Sequence, residues 1–429
     1  MQLIKYPAKD TWGELLQRPV MNLDEVENRV KPIMQAVKEQ GDAAVKDFTQ
    51  QFDQVKVDDL RVSNYEIQKA IEAVPEELKA AISNARNNIE KFHVVQKELV
   101  KKVETMPGVM CWRKSVPIDK VGLYIPGGTA PLFSSVLMLG IPAKLAGCQE
   151  IALCTPPDKN GKVNPAILFT ADLVGIKNIY KCGGAQAIAA FTFGTESIPA
   201  VDKIFGPGNQ YVTAAKQMAT KYGVGIDMPA GPSEVAVLAD SSANPKFVAA
   251  DLLSQAEHGV DSQVIMVTND ALLAEATEKE VERQVGELPR RDIAKQALKN
   301  SKIILVDATD TAVELINQYA AEHLIIAMKN AEEIGEKITN AGSVFLGHYT
   351  PESAGDYASG TNHTLPTNGY ARVYSGVSLD SYFKKITFQQ ISTEGLKQIG
   401  ITIERMAAAE QLEAHKKAVS IRLEEIRKR

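Results

Sequence analysis

Gln255 and His258 stand three residues apart in the run DLLSQAEHGVDSQ, residues 251–263. Leu252 and Leu253 give that run a helical pattern. Residues i and i+3 share one helical face, so an amide oxygen and an imidazole can converge on one point. Gly259 is a helix stop just after the histidine, and a helix C-terminus is where a cation is best tolerated. Q-x-x-H lacks the motif status of H-E-x-x-H, and most such pairs are a capping histidine beside a solvated glutamine; the alternative is half of a metal site. Glu322 and His323 are adjacent in QYAAEHLII, where a helix gives way to a strand. An imidazole with a free pKa of about 6.5 suits a general base, and a neighbouring carboxylate can orient a water. A histidine that merely ends a helix is the blander alternative. The run PESAGDYASGTNHTLPT carries Glu352, Asp356 and His363 among small residues. Asp356 is a candidate hard-oxygen ligand or the start of an Asx-turn, and His363 a candidate ligand, substrate contact or solvated side chain. Glu410 and His415 are five apart, roughly 140° on an unbroken helix, so they cannot share a ligand unless they straddle it. Together Gln255, His258, Asp356 and His415 form a mixed nitrogen and oxygen set. That composition suits Zn²⁺ or a similar divalent ion, not a Cys-rich structural site.

These residues need elements to position them. Residues 1–20 read as an irregular lead-in. Asn22 to Glu25 resembles a helix capping box, and Ser63 with Glu66 is a cleaner one, opening a helical run to about Val100. CWRKSVPIDKVGLYIP reads as two strands around a Pro-Ile-Asp turn. From there short apolar strands alternate with helices: VGLYIP, EIALCTPP, NIYKC and VDKIF, then SQVIMVT, KIILV, HLIIAM and AGSVFLG. Such alternation predicts parallel sheets with helices on both faces. The first series ends its strands in IPGG, KCGGAQ, FGPGN and PAGPSE. In open α/β sheets ligands bind outside the carboxyl ends of strands, and glycine lets backbone approach a phosphate. Glycine also ends strands for no functional reason, and no G-x-G-x-x-G with a following acid is present. Beyond Gly347 the pattern lapses into a long loop of the kind that is usually functional. The last forty or so residues form a polar, mostly helical tail with little core of its own, which must pack on the body or on a partner subunit.

At 429 residues the chain exceeds one ordinary core, so two or more domains are expected. A hydrophobic fraction of 45% with 24% charged residues is that of a soluble globular protein. A net charge of −5 without a Lys/Arg block argues against nucleic acid as the main partner. Cys111, Cys148, Cys154 and Cys182 include no C-x-x-C pair and are expected as reduced thiols. The first residues hold no apolar signal-peptide core, and the most apolar stretch, VLMLGIPAKLAG, is broken by Gly, Pro and Lys. A cytoplasmic location is the expectation.

The runs GLYIPGG, GGAQAIAA, GPGN, IDMPAGPSE, QAEHG-x-DSQ, AAEHL, PES-x-GDYASGTNH-x-LPT and E-x-L-x-x-H-x-x-A occur in this order over roughly residues 120–420. The ordered set resembles the histidinol dehydrogenases, with one departure at Val260, where proline is common. The resemblance implies two Rossmann-like (aldehyde-dehydrogenase-like) parallel-sheet domains with a short N-terminal segment and a mostly helical C-terminal tail. The expected boundaries are 1–21 for the lead-in, 22–120 with 233–375 for a discontinuous domain bearing the metal and catalytic residues, 121–232 for the NAD side, and 376–429 for the dimerisation tail. It implies oxidation of L-histidinol through L-histidinaldehyde to L-histidine with two NAD⁺. Carried onto this sequence, the ligands of one Zn²⁺ per subunit are Gln255, His258, Asp356 and His415. Glu322 and His323 are the catalytic pair. Ser233, His363 and Glu410 contact the substrate, as do the ligands and His323, and Tyr124, Gln186 and Asn209 contact NAD. A homodimer is implied whose tail brings Glu410 and His415 into the neighbouring site. Two other readings use the same residues: a metal-dependent hydrolase in which Glu322 activates water, and a non-catalytic binding protein on the same fold. The identity of the divalent ion and the choice between NAD and NADP stay open.

Overall fold

Two parallel sheets carry the chain's chemistry. The computed structural model describes residues 1–19, 23–127, 131–229 and 231–428. One sheet has six strands in the order Gln2–Lys5, Lys302–Leu305, Gln263–Thr268, Glu234–Ala239, His323–Ala327, Ser343–Leu346. All its neighbours pair in parallel, with His323 opposite Val235. The other has five strands in the order Asn178–Lys181, Glu150–Thr155, Lys120–Tyr124, Lys203–Phe205, Gly225–Ile226, again all parallel.

The alternation of side chains explains why the six-stranded sheet is covered on both faces. Val235 and Val237 point to one side, against the helices Pro245–Ala256 and Ala271–Val285. Ala236 and Leu238 point to the other, against Thr309–Tyr319 and Trp12 of the lead-in. Each fully buried Val or Leu contributes about 1.5–3 kcal/mol relative to exposure. On the five-stranded sheet, helices Leu23–Gln40, Gly184–Phe193 and Gln210–Ala219 share a core with Ala152, Cys154 and Ile204. The packing thus groups the helices from residue 23 onward with the five-stranded sheet, whereas the sequence reading placed 22–120 with 233–375. Asn22, half of the first proposed capping box, lies outside the described residues. The Ser63 box forms: the Glu66 N–H donates to Ser63 Oγ at 3.2 Å and the Ser63 N–H to Glu66 Oε2 at 2.9 Å. The run it opens is two helices, Asn64–Ala73 and Glu76–Val94, because Pro75 lacks the N–H that a continuous helix needs.

The sheets and their helices belong to one compact unit, 1–96 with 118–382. A second unit, 97–117 with 383–429, is a three-stranded antiparallel sheet of Lys102–Met106, Val109–Pro117 and Phe383–Ile391 followed by two helices, Thr393–Ala409 and Glu413–Arg427. The two helices pack where Gly400 meets Leu423 and Val419. Among the described residues no helix is long and apolar enough to cross a membrane.

Candidate functional site

His323 is the first residue of its strand, and Glu322 is the residue before it. Both sit at the amino end of the six-stranded sheet and both are buried, at 3% and 7% exposure. One peptide position on the neighbouring strand orients the pair. The Glu234 N–H donates to Glu322 Oε2 at 2.9 Å, and the Glu234 carbonyl lies 3.2 Å from His323 Nδ1. In the neutral imidazole, a proton on Nδ1 makes that a hydrogen bond and leaves Nε2 able to accept a proton. Glu234 is itself clamped. Arg18 reaches its carboxylate with Nε at 2.5 Å and Nη2 at 2.9 Å, donates to the Tyr319 carbonyl at 2.7 Å and stacks on the Tyr319 ring. Neither Arg18 nor Glu234 was flagged from sequence; they are more than two hundred residues apart, and no local pattern announces such a pair.

His323 Nε2 lies 3.3 Å from Asp356 Oδ1, without the geometry of a hydrogen bond. Asp356 comes from the short helix Glu352–Tyr357 in the long loop. Glu352, one turn earlier, is fully buried and joins them: His323, Glu352 and Asp356 offer ligand atoms within 4.8 Å of one another. The loop reading noticed Glu352 but gave it no role; an acid directly after Pro351 at a helix start was the available signal. Gln255 is 1% exposed, and its amide nitrogen donates to Glu352. That bond fixes the amide orientation and leaves Oε1 buried without a partner. His258 does not share a helical face with Gln255. The helix ends at Ala256, and His258 follows in an exposed turn, its N–H on the Gln255 carbonyl at 3.2 Å. It remains close enough to Asp356 to act on its charge.

The electrostatics follow from this crowding. Burial disfavours a charged His323, but Glu322, Glu352 and Asp356 outweigh it and raise the imidazole well above its ordinary range. Burial pushes the Glu352 carboxyl up to about 8. Burial also acts on Asp356, yet His323 outweighs it and holds that carboxyl below its usual value. Three carboxyl groups crowd one imidazole in a buried place, and a divalent cation there would favour their ionised forms. Two oxygens without partners, Gln255 Oε1 and Asp356 Oδ1, sit in the same cluster. Hard oxygen and imidazole donors, orphaned oxygens and crowded carboxyl groups fit a divalent cation.

A cavity of about 300 Å³ runs past Glu322, His258, Ser233 and His363 to the turn Gly206–Asn209. His363 lines it with both ring nitrogens engaged, at 2.9 Å from the Asp356 carbonyl and 3.0 Å from Ser135 Oγ. A second cavity of about 730 Å³ is lined by Tyr124, Gln186 and Asn209. Pro126 and Asn209 line both. The five-stranded sheet puts this second cavity outside its carboxyl ends, where Lys120–Tyr124 and Lys203–Phe205 diverge and the strand order reverses. Glycine is required there. Gly206 has φ +129°, and a Cβ would stand 2.1 Å from the Tyr124 carbonyl oxygen. A Cβ on Gly184 would stand 2.7 Å from Gln186 Oε1. Gln186 is 1% exposed, and both its amide atoms lack partners. The Tyr124 hydroxyl accepts from the Gly184 N–H at 3.2 Å. Asn209 caps the next helix through the N–H groups of Tyr211 and Val212. Buried amides and bare backbone beside a helix start fit a dinucleotide.

Glu410 and His415 belong to the second compact unit, and both are exposed in the single chain. The helix breaks between them: Gln411 takes a φ of +61°, and the second helix starts at Glu413. The four cysteines are free, three of them buried, and burial pushes the Cys148 thiol up to about 11, away from the reactive thiolate form.

The sequence profile of the family described as histidinol dehydrogenase matches residues 16–423. The histidinol dehydrogenase of Bacteroides thetaiotaomicron is 62% identical over 423 residues, covering 99% of each chain. That of Aliivibrio fischeri is 52% identical over 415 residues, covering 96% of this chain and 94% of its own. The crystal structure of histidinol dehydrogenase from Elizabethkingia anophelis superposes with a TM-score of 0.97 at 58% identity, over 100% of this chain and 99% of that one. This chain belongs to the histidinol dehydrogenase family, oxidoreductases of histidine biosynthesis.

Proposed function

We propose that this chain oxidises L-histidinol to L-histidine through L-histidinaldehyde, a four-electron reaction that consumes two NAD⁺. The observation that carries the reading is the cluster of His323, Glu322, Asp356, Gln255 and Glu352 with its orphaned oxygens, beside a cavity that shares Pro126 and Asn209 with a second, larger one. Gln255, His258 and Asp356 would hold a Zn²⁺ or similar ion, completed by His415 from the tail of a second copy of the chain. When bound, the ion would supply a template for the substrate's nitrogen donors and the dinucleotide would supply the hydride acceptor for both oxidations.

The chain's own residues do the rest. His323 takes the hydroxyl proton from the carbinol in the first oxidation through Nε2, its Nδ1 held by the Glu234 carbonyl. Glu322 takes a proton from water as the water adds to the aldehyde, its own orientation set by the Glu234 N–H, and His323 returns the proton it took to the former carbonyl oxygen, which completes the hydrate and leaves the imidazole neutral again. His323 then takes the hydroxyl proton of the hydrate. Ser233, His363 and Glu410 contact the substrate; for His363 this means exchanging one of its two existing hydrogen bonds. Tyr124, Gln186 and Asn209 contact the dinucleotide. The exposed, broken tail supports a homodimer in which Glu410 and His415 serve the neighbouring site.

Metal-replete protein given histidinol and NAD⁺ should yield two NADH per histidinol consumed. A ratio of one, or no turnover, overturns the reading; metal-dependent activity indifferent to NAD⁺ would instead mark a hydrolase.

A further inference from the structure

The larger cavity holds a charged side chain that the proposed reaction does not use. Asp53 ends the helix Asp42–Asp53 and lines the cavity together with Tyr124, Gln186 and Asn209. Among the described residues it makes no hydrogen bond and no ion pair, and its Oδ2 is buried. Buried polar atoms in folded proteins are nearly always partnered, so an unpartnered carboxylate in a cavity wall calls for a ligand. The nearby Gln186 amide is in the same condition on both its atoms.

The chemistry of that ligand can be narrowed. A carboxylate accepts hydrogen bonds and donates none when ionised, so it suits hydroxyl groups. Burial pushes the Asp53 carboxyl up to about 6, which leaves it largely ionised at neutral pH. In doubly wound sheets an acid near the switch point reads the ribose hydroxyls of a dinucleotide, whereas an arginine there accommodates a 2′-phosphate. Arg29 lines the same cavity, but it is exposed and donates to the Tyr211 hydroxyl at 3.1 Å. Of the two charged side chains lining the cavity, the half-buried acid is the one without a hydrogen-bond partner among the described residues.

We infer that Asp53 accepts hydrogen bonds from the ribose hydroxyls of the bound dinucleotide and, by repelling a 2′-phosphate, makes the site select NAD over NADP. The inference rests on the assignment of this cavity to the dinucleotide, and the test separates the two.

The experiment is direct binding of NADH and NADPH, followed by nucleotide fluorescence or calorimetry without turnover. Wild-type protein should bind NADH tighter by on the order of a hundredfold. Asp53→Asn keeps the shape and loses the charge; it should weaken NADH binding about tenfold and narrow the ratio between the two nucleotides by at least as much. Its melting temperature should not fall, because a half-buried charge without a partner has been removed. Asp53→Ser serves the same purpose if the Asn variant fails to fold. Gln186→Leu, nearly isosteric, should also weaken NADH binding. If it does so while Asp53→Asn leaves the ratio unchanged, the cavity stands and Asp53 is not the selector. If Gln186→Leu leaves NADH binding intact, the cavity is not the dinucleotide site and the inference falls with it. A wild-type preference for NADPH also overturns it.

Discussion

Arg18→Met removes the cation that clamps Glu234, and its consequences can be worked from the structure. The Arg18 side chain is 10% exposed and that of Glu234 is 3% exposed, so solvent screens the pair little. Arg18 makes two bonds to the carboxylate and one to the Tyr319 carbonyl, and its guanidinium lies 4.0 Å from the Tyr319 ring centre. Taking one partner from a buried pair leaves the other charge uncompensated, a loss of about 3–5 kcal/mol. The Asn368 N–H still reaches Glu234 Oε1 at 2.7 Å, which places the expected loss near the lower figure. The sign with pH is fixed as well. Burial already raises the Glu234 carboxyl above its ordinary value, against the pull of Arg18. A raised carboxyl disfavours the folded state as pH climbs through its folded pKa, and removing Arg18 raises it further. The penalty of Arg18→Met should therefore be largest at neutral pH and shrink as the medium is acidified and Glu234 takes a proton. Urea unfolding of the variant and the wild type at several pH values measures this, together with the double variant Arg18→Met/Glu234→Leu, whose penalty should be smaller than the sum of the single ones. An unchanged urea midpoint at neutral pH, or a penalty that grows on acidification, would refute the reasoning.

Three other outcomes are expected. His323→Asn should lower kcat by about 10²–10⁴-fold while histidinol binding by calorimetry changes little, since the proton acceptor is lost and the cavity kept. Chelation should abolish turnover and lower the melting temperature, and Gln255→Ala should raise the chelator sensitivity; indifference of both readouts to chelator would remove the ion from the site. A His258→Ala chain mixed with a His415→Ala chain should regain partial activity after subunit exchange, because one of the two heterodimer sites then has both residues intact; no recovery despite proven exchange would place His415 in its own chain's site.

Much of the fold was legible because its strands are short apolar runs between strong turn residues. The Gly-rich turns IPGG, KCGGAQ and FGPGN do end strands at one cavity. Three strands escaped. Gln2–Lys5 pairs at a sheet edge with half-exposed side chains. Lys102–Met106 is exposed throughout, and Phe383–Ile391 interrupts its alternation with Lys384-Lys385 and Gln389-Gln390. A strand whose side chains mostly face solvent leaves little trace of its period in the sequence. In the site, the residue types were legible but their neighbours were not. Gln255, Glu322 and His323 stand out in the sequence, yet the groups that aim them lie far along the chain, Glu352 for Gln255 and Glu234 for the other two. The larger cavity lies at strand carboxyl ends, as read for the Gly-rich turns, and Glu322 and His323, read at a helix-to-strand junction, lie at a strand amino end together with Ser233.

The bonds from Glu234 to Glu322 and His323 come from its main chain, not its side chain. No substitution at 234, other than proline, can delete either bond directly. The spacing of acid and base is thus a property of strand register, His323 opposite Val235, and is set once the two central strands pair. A slip of one residue would turn the imidazole to the opposite face of the sheet, so misregistered molecules have no partial activity to offer. The fraction of active enzyme in a refolding experiment should then report, almost digitally, the fraction of chains whose two central strands found each other correctly.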